Sequence, residues 1–303
     1  MPALPGRLES QDEGEGMKPG IHQKVPMAQY LALAAVSASL LNRVLDYSPF
    51  HAKHAQDNPE DDPTTESETG TAIHDALLEG RDRIVAVDAP DWRTKAAKEQ
   101  REFVRQQGGI PMLAHKVAQV EAAMKAAKQY VAGSEIAGVF DTGAPEQTLI
   151  AQEDGLLLKA RPDWLTADRS ILLHVKTTKG SANPETWIRT QLSGMGYDVA
   201  ALFYERVLAA AAPGERPPLS VFLVIEQEPP HGCSLVGLDP AMQDIASRKV
   251  ERALRLWANC VTAQRWPAYP SQIAYAEPRQ WQILEEQMRQ QFPEETLKGG
   301  IPL

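Results

Sequence analysis

Apolar and polar positions along this chain follow two periods, and each predicts its own elements. The period-two signal is clearest over 155–179. Leu156, Leu157 and Leu158 lead into Ala160-Arg161-Pro162-Asp163, a polar turn follows at Thr166 to Ser170, and Ile171 to Thr177 returns, which predicts a β-hairpin. Side chains alternate along a strand, so Leu172, His174 and Lys176 share one face while Leu173 and Val175 share the other. An in-register hairpin brings Asp163 beside them, so an acid, an imidazole and an amine converge. Leu219 to Glu228 reads as a buried central strand with Cys233 to Leu238 as its partner, and Glu146 to Ile150 as the start of the sheet.

Helical period governs most of the remainder. Ser37 or Ser39 caps a helix carrying Leu40, Leu41, Val44 and Leu45. Thr69 to Leu78 is a helix with Ile73, Leu77 and Leu78 as its stripe and His74 beside that stripe. Helices are predicted from Thr94 to Gln106 and from Pro111 to Tyr130, broken by Gly108-Gly109. Another helical region starts at Asn183-Pro184-Glu185, runs through Trp187, Ile188 and Leu192, and continues from Gly196 to Tyr204. Asp239-Pro240 caps a long helix to about Ala263, whose stripe of Met242, Ile245, Val250, Leu254, Trp257 and Val261 is expected in the core. A last amphipathic helix, Pro278 to Phe292, presents Trp281, Leu284 and Met288.

Composition narrows the class. With 303 residues and 43% hydrophobic content the chain has ample material for a core. No apolar run is long enough to span a bilayer, and the first stretch is acidic and Gly/Pro-rich, unlike a signal peptide, so the expected location is the cytoplasm. Cys233 and Cys260 are too far apart for a C-x-x-C pair, which leaves two buried thiols rather than a disulfide framework or zinc knuckle. A net charge of -9 excludes a protein that coats nucleic acid by bulk attraction. The charge is uneven: Asp57 to Glu68 holds six acids and no base, whereas Asp91 to Lys128 holds eight bases against four acids. Within the latter, Lys98, Arg101 and Arg105 share a helix face, either solvated or turned toward DNA.

The order Arg161-Pro162-Asp163, a short spacer, then an apolar strand ending Val175-Lys176-Thr177-Thr178 resembles the core of the PD-(D/E)XK nucleases. More narrowly it is similar to the phage and prophage branch related to exodeoxyribonuclease VIII (RecE-like). Further likenesses are Pro19-Gly20-Ile21, Tyr30, the Val36-Ser37-Ala38-Ser39-Leu40 helix, the Ser48-Pro49-Phe50-His51 step, Gly70 to His74, and Gly196-Tyr197 with Tyr204. The likeness covers roughly Pro19 to Tyr269. It implies a mixed α/β (α+β) fold: a central mixed β-sheet flanked by helices, with a restriction-endonuclease-like core. Three segments are expected: a flexible extension over 1–18, the nuclease-like domain over 19–272, and a C-terminal helix and tail over 273–303.

The resemblance also implies roles. Asp163 and Lys176 would be catalytic; His74, Asp163, His174, the Val175 carbonyl and Glu146 would hold a divalent metal; Arg161, Tyr197 and Tyr204, with Lys98, Arg101 and Arg105, would face DNA. Read from the residues alone, His74 is either a partly buried structural histidine or a ligand, and Glu146 either a ligand or a solvated strand end. Two positions depart from the family pattern. His174 stands where the family has an acid, two residues before the lysine, and Ala200 stands where it has glutamine. Carboxylates suit Mg2+, whereas imidazole suits softer ions, so His174 favours Mn2+ over Mg2+. The implied activity is metal-dependent exonucleolytic hydrolysis of linear double-stranded DNA, with a single-strand-annealing recombinase as partner, self-association, and a phage or prophage origin. The alternative is a catalytically degenerate nuclease fold that binds DNA or a protein.

Overall fold

The computed structural model describes residues 17–58, 65–78, 84–213 and 217–291. Most of the expected 1–18 extension, part of the acidic loop and the end of the tail lie outside them. In chain order the elements are β1 (Gly20–His22), α1 (Met27–Ala32), α2 (Ala38–Asp46), α3 (Pro49–Asp57), α4 (Thr65–Leu78), β2 (Ile84–Val87), α5 (Lys95–Gln106), β3 (Ile110–Leu113) and α6 (Ala114–Ala132). There follow β4 (Ala144–Pro145), β5 (Thr148–Glu153), β6 (Leu156–Ala160), β7 (Trp164–Leu165), β8 (Ile171–Thr178), α7 (Pro184–Trp187) with a π-helical turn (Ile188–Leu192), and α8 (Tyr197–Ala211). The last are β9 (Leu219–Glu226), β10 (Cys233–Gly237), α9 (Pro240–Ala263) and α10 (Gln280–Gln291).

The central sheet has the order β10-β9-β8-β7-β4. Its β8 and β9 run parallel while the other pairs are antiparallel. A parallel pair needs a crossover, which α7 and α8 provide. Alternation along β8 serves both faces: Leu172 enters a core with Leu41, Leu149, Leu158, Phe203 and Trp257, whereas Leu173 and Val175 enter one with Ile73, Leu77, Val120 and Leu223. The helix bearing His74 is therefore packed directly against β8.

The hairpin differs from its sequence-based outline. Leu156 to Ala160 form β6, which pairs with β5 in a separate sheet of order β1-β5-β6. Asp154 and Gly155, both at positive φ, turn β5 into β6. Only Trp164 and Leu165 pair with β8, opposite Leu173 and Leu172. Pro162 has no N–H to give a ladder, and the chain changes sheets there. Asp163 nonetheless lies at the junction next to β8.

Other boundaries also moved. Pro111 is not in a helix but in β3, parallel to β2, and α6 begins at Ala114. Glu146 lies in a left-handed turn (φ 47°) between β4 and β5 rather than in a strand. On α9, Val250, Leu254 and Trp257 are buried with Ala246, Ala253 and Cys260, but Ile245 is 50% exposed and Val261 is also exposed. The stripe drifts over a long helix, and small residues occupy the closest approach. Caps follow the sequence: Ser37 accepts from the Leu40 N–H, Thr94 from Ala97, and Asp239 from Met242 at 2.7 Å. Gly196 (φ 66°) is required, because a Cβ there would come within 2.3 Å of the Asn42 side chain, which donates to the Gly196 carbonyl.

The chain divides into two units at Ala268/Tyr269. In the second, α10 buries none of its residues, and Trp281, Leu284 and Met288 are exposed. Both cysteines are free thiols, Cys260 buried and Cys233 half-buried. Among the described residues no helix is long and apolar enough to cross a membrane.

Candidate active site

Asp163 is held by a strand it does not belong to. Its Oδ2 accepts the Val175 backbone N–H at 2.6 Å and lies 3.6 Å from Lys176 Nζ, while Oδ1 is 3.2 Å from His74 Nε2. The Asp163 carbonyl in turn accepts the Glu146 N–H at 3.1 Å. One residue therefore links β8, α4 and the β4–β5 turn. Burial raises the Asp163 carboxyl, but the charges of Lys176 and His74 and the His74 hydrogen bond outweigh it and hold it below the usual carboxylate range.

His74 reaches this point because α4 can approach β8 closely. Gly70, one turn earlier on the same helix, faces Thr177, where a Cβ would stand 3.3 Å from Oγ1. The second ring nitrogen, Nδ1, lies 3.7 Å from Glu146 and 3.9 Å from Asp75. Burial works against the imidazolium, but hydrogen bonds to Asp163 and Asp75 and the charges of Asp163 and Glu146 push its pKa up to about 9. Glu146 is fixed from behind by Arg161, whose Nη2 donates to it at 2.7 Å while Nη1 donates to the Val25 carbonyl. It is thus a tethered group in a wall and not a solvated strand end.

These residues line a cleft of about 1350 Å³, together with Gln23 to Met27, Trp164, Thr177 and Tyr197. Lys176 Nζ sits 5.3 Å from the centre of the Tyr197 ring, and that ring stacks on Trp187. The near wall is secured by two cations on one strand end. Lys159 is buried and donates to the carbonyls of Tyr30, Leu31 and Leu33, closing the end of α1, while Arg161 ties down Val25 before its start. The Tyr30 ring lies between them, 4.9 Å from Lys159 Nζ and 5.6 Å from the Arg161 guanidinium.

The remaining residues expected at the site do not line the cleft. His174 stacks on Phe222, with Tyr204 5.5 Å away, and neither His174 nor Tyr204 lines the cleft. Burial, then the Lys176 charge, pushes the His174 pKa down to about 4. Ala200 packs against the core of α2, α8 and α9. Lys98, Arg101 and Arg105 are on α5, with the Arg101 guanidinium over Trp92, and none of the three lines the cleft. Sequence reasoning missed Asp75, which lies in the cleft wall, and the contribution of Gln23 to Met27. An acid directly after His74 on a helix looks solvated in sequence, so only the packing of α4 exposes it.

Ligand-capable atoms of His74, Asp75 and Glu146 all lie within 4.8 Å of one another, with Asp163 on the other side of the imidazole. Two carboxylates and one imidazole, with the Asp163 carboxylate on the far ring nitrogen, are donors suited to a divalent cation, and His74 holds a proton where such a cation would neutralise the cluster.

Residues 37–278 match a family described as a PDDEXK-like domain of unknown function (DUF3799). The chain belongs to this PDDEXK-like family. Among solved structures it is similar to a Eubacterium rectale protein assigned as an exonuclease, with a TM-score of 0.50 at 13% identity, over 82% of this chain and 92% of that one. A phage-related exonuclease of Haemophilus somnus 129PT has a TM-score of 0.33 at 10% identity, over 76% and 96% of the two chains. An alkaline exonuclease of Laribacter hongkongensis has 0.26 at 16%, over 63% and 96%. No curated protein matches the sequence. The family match and the first likeness establish the restriction-endonuclease-like fold expected from the sequence. In this fold Asp163 and Lys176 meet 3.6 Å apart where the chain enters β7 beside β8.

Proposed function

We propose that this protein is a divalent-metal-dependent exonuclease that hydrolyses phosphodiester bonds of linear double-stranded DNA, in a phage or prophage recombination setting beside a single-strand-annealing recombinase. The observation that carries the reading is the approach of Asp163 to both His74 (3.2 Å) and Lys176 (3.6 Å) at the floor of a wide cleft. Asp163, Glu146, His74 and the Val175 carbonyl would hold the cation. A bound divalent ion supplies a Lewis acid for the phosphate and a more acidic attacking water. Lys176, positioned by Asp163 and the Tyr197 ring, orients that water and balances charge growing on the phosphate. Arg161 keeps Glu146 aimed into the cleft. The imidazole of His74 supports a preference for Mn2+ over Mg2+. The apolar stripe of Trp281, Leu284 and Met288 on α10 supports self-association of the chain.

The test is digestion of end-labelled linear and closed circular DNA across a series of divalent ions. Release of mononucleotides from linear DNA alone, fastest with Mn2+, is the expected result. Cleavage of closed circles overturns the exonuclease reading, and no cleavage with any ion overturns catalysis altogether. The second reading, a degenerate nuclease fold that binds DNA or a protein, is favoured by one observation: the family's acid position is filled by a histidine packed outside the cleft.

A further inference from the structure

Position 174, where the resemblance places an acid, and Asp75 on α4 have contrasting surroundings. His174 is 3% exposed, its ring centre lies 5.0 Å from that of Phe222 at an interplanar angle of 28°, and its Nε2 has no hydrogen-bond partner among the described residues. It fills an aromatic slot between β8, β9 and α8. A carboxylate in that slot would be surrounded by rings, at a high desolvation cost. Asp75 has the reverse character. It is 2% exposed and lines the cleft. Its neighbours there include His74 and, across the gap, Glu146, the three offering ligand atoms within 4.8 Å of one another.

We propose that the second carboxylate of the metal site has moved from β8 to α4, with Asp75 serving as a cation ligand in place of residue 174. The inference rests on the cation-dependent reading above, and it deepens it by adding Asp75 to the donors named there, beside His74 and Glu146. The charge count supports the exchange. Replacing an acid by neutral His174 removes one negative charge from β8, and Asp75 restores one without altering Lys176. The geometry is economical as well, because Asp75 follows His74 directly and a single helix, brought close to β8 by Gly70, delivers both donors.

Calorimetric titration of the full chain with MnCl2 tests this, with DNA cleavage assayed in parallel. Asp75→Asn, nearly isosteric, is expected to weaken Mn2+ binding at least about tenfold, since even groups that only support a ligand typically contribute 10- to 100-fold. His174→Phe, which keeps the aromatic slot filled, is expected to bind Mn2+ like the unaltered protein. Wild-type affinity in Asp75→Asn, or a matching loss in His174→Phe, overturns the proposal, as does an absence of Mn2+ binding by the unaltered chain. The metal-free melting transition shows whether each variant folds. Where Asp75→Asn does not fold, Asp75→Glu carries the test: it keeps the charge but moves the oxygens by a methylene, so an altered Mn2+ affinity supports ligation and an unchanged one overturns it. The two readings fail separately. Mn2+ binding that depends on Asp75 without cleavage of any DNA ends the nuclease reading alone, whereas full cleavage by Asp75→Asn ends the Asp75 assignment alone.

Discussion

The Asp163 carboxylate accepts the backbone N–H of Val175 at 2.6 Å, so the acid that follows Pro162 is fixed to the strand that carries the lysine. This bond separates two consequences of changing Asp163. Asp163→Asn keeps an oxygen that can accept from Val175 but loses the charge facing His74 and Lys176. It is expected to fold and to lose cleavage. Lys176→Ala, which removes a charge partner of Asp163 but no core packing, is expected to fold with a slightly lowered melting transition and to lose about 10²- to 10⁴-fold in rate, the usual contribution of one positioned proton-transfer group. Steady-state digestion beside thermal melting checks both. An active Lys176→Ala protein would remove β8 from the mechanism.

Lys159 is expected to matter for stability more than its lack of a carboxylate partner suggests. Burial lowers its pKa, yet its ammonium satisfies three carbonyls at the end of α1. Lys159→Met fills similar volume but removes the ammonium; the Tyr30 and Leu33 carbonyls keep the backbone N–H groups of Leu33 and Ala35, so the loss falls on the Leu31 carbonyl, at about 1–3 kcal/mol for a buried group left unsatisfied. Chemical denaturation should show the loss. Limited proteolysis should show faster cutting around Gln23 to Leu33. Unchanged stability would mean that water replaces the ammonium without cost.

The metal-free protein should be less stable in alkali because of His74. Its folded pKa of about 9 lies above the ordinary value of about 6.5, so its contribution is fully present below about pH 6.5 and is lost as pH rises through about 9. Asp163 acts in the other direction. Its folded pKa is depressed, so its contribution is present above about pH 4 and is lost as pH falls. Urea denaturation with chelator present should therefore give a midpoint that declines from neutral pH to pH 9, and His74→Gln should flatten that decline. A decline that persists in His74→Gln would assign it to another group.

A chain ending at Ser271 should keep the melting transition of the longer one, because α10 buries none of its residues. Its mass in light scattering should be lower than that of the full-length assembly, reflecting loss of the Trp281, Leu284 and Met288 stripe. An unchanged assembly state rules α10 out as the self-association element.

The sequence by itself determined most of the long helices and the central strands, and it singled out Asp163, Lys176 and His74 as candidates for the chemistry. The alternation of Leu172, Leu173, His174, Val175 and Lys176 specified a strand that serves two cores, because side-chain direction along a strand is local geometry. Caps at Ser37 or Ser39 and at Asp239 were legible for the same reason: a hydroxyl or carboxylate reaches only its own first turn. Gly70 and His74 were legible as a pair through the resemblance. Tertiary structure decided the partners. Whether Leu156 to Ala160 pair with β8 or β5 depends on where Pro162 turns the chain, and both pairings satisfy the same apolar pattern. Whether His174 faces the cleft or the rings of Phe222 and Tyr204 depends on the packing of α8 and β9, two elements distant in sequence. Asp75 is the sharpest case. On a helical wheel it looks like any solvated acid, and it becomes a buried group in the cleft wall only because Gly70 lets α4 lie close against β8.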